Sequence, residues 1–98
     1  MNMQALLQQA KKMQKDITES QKEIENEEFE GKNGLVRVVL RGDKTVKEIK
    51  IEDDDEIKKD LSMLEDMICL AFNDAINKIN KKTEEKLGKY ANMMPGIF

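Results

Sequence analysis

The segment GLVRVVLRGDKTVKEIKI, Gly34 to Ile51, decides the fold because its apolar residues alternate with charged ones. Val36, Val38 and Leu40 fall on one face of an extended strand, and the residues between them fall on the other. A Gly-Asp pair then breaks the pattern, and a second alternating run follows it. Two strands joined by so short a loop must pair antiparallel.

A third strand-like run lies just before this segment, around Phe29, and the turn signal GKNG separates it from Val36. The sequence therefore predicts a three-stranded antiparallel meander over residues 27–53. We expect one face of the sheet, which includes Ile49 and Ile51, to be buried and the other to be in water.

Apolar residues at helical spacing flank the predicted sheet on both sides. Before it, the seven-residue spacing of Met3, Ala10, Ile17 and Ile24 predicts a helix over residues 1–26. After it, a helical segment is predicted over residues 56–88 and a flexible tail over 89–98. Ser62 and Glu65 have the S-x-x-E spacing of a capping box, which predicts the start of a long helix that Gly88 ends. The expected fold is a single α+β domain, residues 1–98, with the order α-β-β-β-α and two long helices.

The second long helix carries apolar residues over an arc wider than one sheet needs. We expect it to contact its own sheet and a helix of a second copy. Ala71 and Ala75, four residues apart, would allow close backbone approach. The predicted dimer interface comprises Met67, Leu70, Ala71, Phe72 and Ala75.

Composition narrows the class of protein. The chain has 98 residues, of which 39% are apolar and 38% charged, and its net charge is −3. A domain of this size buries a modest core, which favours completion of the core by a second copy. The N-terminus does not resemble a signal peptide, and no apolar run approaches the ~18 residues of a membrane span. We expect a soluble cytoplasmic protein without membrane contact.

The chemistry of enzymes and metal sites is missing from the sequence. The chain has no histidine, no phosphate-binding loop and one cysteine, Cys69, which we expect to be a buried apolar residue. The acidic run EDDDE, Glu52 to Glu56, lacks the alternate spacing and glycine of a calcium loop, and favours a helix N-terminus instead. We therefore expect no catalysis, metal, cofactor or small-molecule substrate.

Lysines take over the central line of the second helix where its apolar arc ends. One interpretation is a solvated helix end that favours the helix dipole, and the other is a polyanion contact. The lysines of this helix are Lys78, Lys81, Lys82, Lys86 and Lys89, and a second group on the first helix comprises Lys11, Lys12 and Lys15. Arg37 and Arg41 are further candidates on the open sheet face, unless Glu48 and Glu52 pair with them there.

The segments GLVRVVLRGDKTVKEIKI and SMLEDMICLAFNDAINKI resemble the YbaB/EbfC family of bacterial nucleoid-associated proteins. The Gln/Met/Lys-rich start LLQQAKKMQ and the tail MMPGIF are similar as well, so the resemblance covers nearly the whole chain. The turn EGKNGLV is shorter than the family's usual G-x-S-G-x-G-L-V, which predicts a tighter first hairpin.

The resemblance implies a homodimer whose helices project like tweezer arms and bind double-stranded DNA in the nucleoid. It implies effects on DNA conformation, nucleoid organisation and gene expression. On this interpretation both lysine groups contact phosphates, which carry charge but no sequence information. The alternative is a protein-interaction scaffold, in which the helical arms clasp a protein and binding changes little with salt.

Overall fold

The computed structural model of the protein describes residues 2–90. The order α-β-β-β-α is as predicted, and the sheet has the antiparallel strand order β1-β2-β3. Most of the predicted tail lies outside the described residues. The elements are α1 (Met3–Asn26), β1 (Glu28–Asn33), β2 (Val36–Arg41), β3 (Val46–Ile51), the short helix α2 (Asp55–Lys59), α3 (Leu61–Leu87) and a 3₁₀ turn (Gly88–Tyr90).

The first hairpin has a loop of two residues, Gly34 and Leu35, between the paired residues Asn33 and Val36. Gly34 has a φ of +55°, which suits the first position of a tight hairpin turn and is strained for residues with a Cβ. A side chain at Gly34 would also meet Met67 of α3. The hairpin is therefore tight, as the shortened turn predicts.

The second hairpin contains a bulge in β3 close to its turn. Val39 pairs with Glu48, whereas Leu40 pairs with Val46, so that Lys47 is left over. The extra residue changes the alternation of β3. Val46 therefore lies on the same face as Ile49 and Ile51, the face toward α3.

The helical segment after the sheet is broken at Asp60, which was not predicted. The side chain of Asp60 accepts a hydrogen bond of 3.0 Å from the N–H of Met63, so Asp60 caps α3. The predicted capping box is wrong because Ser62 already lies within the first turn. The acidic run begins α2, where Asp54 caps the N–H groups of Glu56 and Ile57.

The core lies between α3 and the first two strands, where the backbones approach closely. A Cβ atom at Gly31 of β1 would lie 2.0 Å from the carbonyl oxygen of Ala71 and 2.7 Å from the backbone nitrogen of Ala75. Both alanines have no exposed surface in the subunit. The prediction of close approach at these alanines is right, but the neighbour is the chain's own strand.

The apolar face of β3 is uncovered, contrary to the predicted burial of Ile49 and Ile51. These side chains and that of Val46 are 41–51% exposed, whereas Val36 and Val38 on the same face have no exposed surface. The reason is geometric, since a single helix packed across β1 and β2 does not reach the third strand.

Helix α1 packs only through its C-terminal half. Ile17 and Ile24 are buried, and a Cβ at Gly42 would collide with the backbone of Ile24. Ile24 also shares a small cleft with Thr83 and Leu87, near the end of α3. Residues 3–12 are exposed throughout. The described molecule measures 70 × 20 × 15 Å, so the first half of α1 projects beyond the end of α3, which is itself about 40 Å long.

Candidate nucleic-acid interface

Lys78 contacts the backbone of β1 and an acidic residue of its own helix. Its Nζ donates a hydrogen bond of 2.8 Å to the carbonyl oxygen of Glu30 and lies 3.4 Å from Oδ2 of Asp74. These contacts hold Lys78 over the outer edge of β1. Among the predicted lysines of α3, Lys78 therefore has a structural role, which is to attach the helix to β1.

The remaining lysines of α3 lie beyond the sheet, on the last turns of the helix and on the 3₁₀ turn. None of them has an ion pair within residues 2–90. Lys82 is partly buried, and the ammonium group of Lys89 lies 5.0 Å from the ring centre of Tyr90. We call Lys81, Lys82, Lys86 and Lys89 the α3 lysine group.

Sequence reasoning missed an acidic residue within the α3 lysine group. Glu85 follows Lys81 by four residues and precedes Lys89 by four, which places it on the same helix face. It is exposed. The signal was present in the sequence as helical spacing, and Glu85 lowers the positive potential of this face.

The lysines of α1 lie on its outer side. Lys11, Lys12 and Lys15 are exposed and turn away from Ile17, which faces the core. Lys15 has one weak neighbour, Glu19, at 3.9 Å. Because α1 lies alongside the end of α3 and projects past it, both lysine groups are at the helical end of the molecule, away from the sheet.

The two arginines do not join the lysine groups. Nε of Arg37 lies 2.9 Å from Oε1 of Glu30 on the sheet face opposite α3. Its partner is therefore Glu30, not the expected Glu48 or Glu52. Arg41 is exposed at the end of β2 and has no ion pair among the described residues. The two arginines therefore lie on the sheet, whereas the two lysine groups lie at the helical end of the molecule.

Other kinds of site have little support in the part of the chain that the structure describes. Residues 2–90 contain no cluster of metal-ligating side chains and no helix long and apolar enough to cross a membrane. The cleft between α1 and α3 has a volume of about 220 Å³, below the usual size of a ligand pocket. Cys69 is exposed, so its predicted burial is wrong.

A meander packed under one long helix, with a second helix projecting beside it, defines a class of small proteins with helical arms. The model of the YbaB/EbfC DNA-binding family matches residues 1–94 of the chain. The chain belongs to this family, and the resemblance noted from its motifs is confirmed. Its family is one of DNA-binding proteins, which accords with the expectation that the chain is not an enzyme.

Relatives from other bacteria align over nearly the whole chain. A nucleoid-associated protein of Enterococcus faecalis is 42% identical over 98 residues, covering 98% of this chain and 94% of its own. A nucleoid-associated protein of Lactococcus lactis subsp. cremoris is 44% identical over 97 residues, covering 97% and 98%.

The crystal structure of an uncharacterized protein from Helicobacter pylori has the same fold. The TM-score is 0.70 at 20% sequence identity, and the match covers 95% of this chain and 97% of that one. This likeness is one of fold alone.

Proposed function

We propose that the protein binds double-stranded DNA as a homodimer in the bacterial nucleoid and alters DNA conformation, thereby contributing to nucleoid organisation and gene regulation. The observation that carries the proposal is the pair of lysine groups at the helical end. Family membership and the names of the relatives support DNA as the polyanion that these lysines contact.

The charge distribution supports phosphate binding by an acidic chain. The net charge is −3, so the protein as a whole weakly repels DNA. At an ionic strength of 0.15 M, however, charges more than about 8 Å apart are largely screened. A phosphate at the α3 lysine group is therefore influenced mainly by those lysines and by the neighbouring Glu84 and Glu85, and little by the acidic residues near the sheet.

A homodimer doubles the number of lysines that one duplex can contact. Leu70 is 51% exposed on α3, and Met67 and Phe72 are partly buried, which keeps these three in the proposed interface. Ala71 and Ala75 are removed from it because the subunit already buries both of them.

The test is fluorescence anisotropy of a labelled duplex over a series of salt concentrations. The double change Lys82→Glu, Lys86→Glu should abolish binding or weaken it more than tenfold. The logarithm of the binding constant should fall with that of salt by about 0.9 per neutralised phosphate, and less steeply in the variant.

The matched control is Lys32→Glu, Lys59→Glu, which changes the net charge equally but alters two exposed lysines, one on β1 and one on α2, away from the helical end. Equal losses in both double variants would indicate a general charge effect and contradict the proposed interface. Circular dichroism and sedimentation should show that both variants stay folded and keep the wild-type oligomeric state.

One observation favours a protein-interaction scaffold as the second candidate. The projecting half of α1 has an apolar seam in which Met3 is 73% exposed and Leu7 57% exposed. Duplex DNA that fails to bind even at low salt would overturn the first proposal in favour of this one.

A further inference from the structure

The projecting half of α1 has an apolar seam that the rest of the described chain leaves uncovered. By helical spacing, its residues lie on the same side of α1 as Ile17, which is buried in the core. Three of them, Met3, Leu6 and Leu7, are 73%, 39% and 57% exposed. We call Met3, Leu6, Leu7 and Ala10 the α1 seam.

A second apolar segment of the chain matches the α1 seam in its lack of charge. Although 38% of the residues are charged, only two runs of eight or more residues have no charged side chain, namely 1–10 and 90–98. The first run contains the seam. The second run, YANMMPGIF, contributes Met93, Met94, Ile97 and Phe98. Two such segments can be buried against each other without removing a charged side chain from water.

The second apolar segment begins close to the α1 seam. Tyr90 and Met13 of α1 are both partly buried and pack against the core. The last turns of α3 lie beside α1, since Thr83 and Leu87 line one cleft with Ile24. Helix α3 therefore runs toward the start of α1, and the chain leaves Tyr90 near the base of the seam.

Residues 91–98 are long enough to cover the α1 seam. From Ile17 to Met3 the helix rises about 21 Å. Eight residues in an extended conformation span up to about 26 Å. Because the segment is tethered near the base of the seam, its effective concentration there is on the order of millimolar. This tether favours the chain's own segment over a separate partner at micromolar concentration.

We infer that residues 91–98 pack along the α1 seam of the same chain. Methionine side chains suit this role because they are unbranched and adapt to an irregular surface. The inference goes beyond the proposed function and does not depend on it, since the lysines of α1 lie on the other side of the helix. A protein that binds the seam would have to displace this segment.

Cross-linking tests the contact directly. Ala10→Cys and Met94→Cys are combined in a Cys69→Ser background, which removes the exposed native thiol. Four extended residues after Tyr90 span about 13 Å, which is enough to reach the level of Ala10, about 11 Å from Ile17 along α1. Mild oxidation should give an intrachain disulfide. The matched control replaces Ala10→Cys with Gln8→Cys, which lies at a similar level on the opposite side of the helix and should react much more slowly.

Thiol accessibility tests whether the segment covers the seam. Leu6→Cys in the Cys69→Ser background reports the exposure of the seam through its rate of alkylation by iodoacetamide. Adding Ile97→Asp should raise this rate about fivefold, because a carboxylate resists burial against apolar side chains. Asn92→Asp is the control, since it adds the same charge at a position that is already polar and should leave the rate nearly unchanged.

The outcomes decide which molecule occupies the seam. An intrachain disulfide, together with faster alkylation in Ile97→Asp alone, supports the inference. A covalent dimer would assign the seam to the segment of a neighbouring copy and overturn packing within one chain. Equal cross-linking of Ala10→Cys and Gln8→Cys, or equal alkylation rates in both aspartate variants, would overturn the contact altogether. DNA binding is measured separately, so failure here leaves the proposed function standing.

Discussion

Oδ2 of Asp74 in α3 lies 3.1 Å from the backbone nitrogen of Lys32 in β1, forty-two residues earlier in the chain. With Lys78, one turn further along α3, this carboxylate fixes the helix against the outer edge of the sheet. The same two side chains thus position the helix that carries the α3 lysine group and close one edge of the sheet.

Replacement of Asp74 by alanine should destabilise the subunit. The change removes the acceptor for the N–H of Lys32 and the carboxylate beside Lys78, and we expect a loss of about 1 kcal/mol in the free energy of unfolding. Urea denaturation measures it. Asp66→Ala is the control, since Asp66 is exposed on α3 and has no ion pair among the described residues; equal losses would contradict the role given to Asp74.

The contribution of Asp74 should depend on pH in the acid range. The hydrogen bond from the N–H of Lys32 and, after it, the contact with Lys78 lower the pKa of Asp74 from its ordinary value despite some desolvation. A depressed pKa in the folded state means that the stabilisation is present above the unfolded pKa and is lost as pH falls through the folded one.

The stability difference between wild type and Asp74→Ala should therefore be constant above about pH 5 and shrink below about pH 4. Denaturation at a series of pH values checks this, and a carboxyl NMR titration reports the pKa itself. A difference that grows in acid would contradict the assignment.

Gly31→Ala should be among the most destabilising single substitutions. The added Cβ would lie 2.0 Å from the carbonyl oxygen of Ala71, so α3 must move away from β1, at a cost of at least about 2 kcal/mol. Gly88→Ala is the control. Its φ is −56° and the nearest atom is 3.7 Å away, so we expect no loss, or a gain of about 0.5 kcal/mol. Thermal unfolding of both variants tests the contrast.

The start of α3 should be sensitive at Asp60 and insensitive at Ser62. Asp60→Ala removes the side-chain oxygen that caps the N–H of Met63 and should destabilise the protein by about 1 kcal/mol. Ser62→Ala should change the stability by less than about 0.5 kcal/mol, because alanine is a good helix former at an exposed position. Denaturant unfolding measures both losses. A larger loss for Ser62→Ala than for Asp60→Ala would contradict the cap at Asp60 and support the capping box predicted from the sequence.

Glu85→Gln should strengthen DNA binding if the α3 lysine group contacts phosphate. Removal of the one carboxylate that interrupts this face should tighten binding roughly twofold to fivefold at low salt, and less at high salt. Glu84→Gln changes the net charge equally but should have a smaller effect. Glu84 is three or four residues from Lys81 alone in the α3 lysine group, whereas Glu85 has this spacing to Lys81, Lys82 and Lys89. Anisotropy titrations in parallel distinguish the two, and equal effects would speak against a contact on this face.

The sequence by itself determined the order of helices and strands, the antiparallel meander and the family. These features rest on local patterns, since alternation over Val36 to Leu40, seven-residue spacing on the first helix and glycine turns are all properties of neighbouring residues. It also placed the lysines on the last turns of the second helix, because helical spacing alone assigns residues to a face.

Only the tertiary structure decided what each face meets. Nothing local indicates that Ala71 packs on Gly31, that Lys78 reaches Glu30, or that α3 stops short of β3 and leaves Ile49 uncovered. These relationships join residues far apart in the chain, and they depend on where one helix lies across three strands. Periodicity tells which side of an element is apolar, whereas the position of the packed elements decides whether that side is covered.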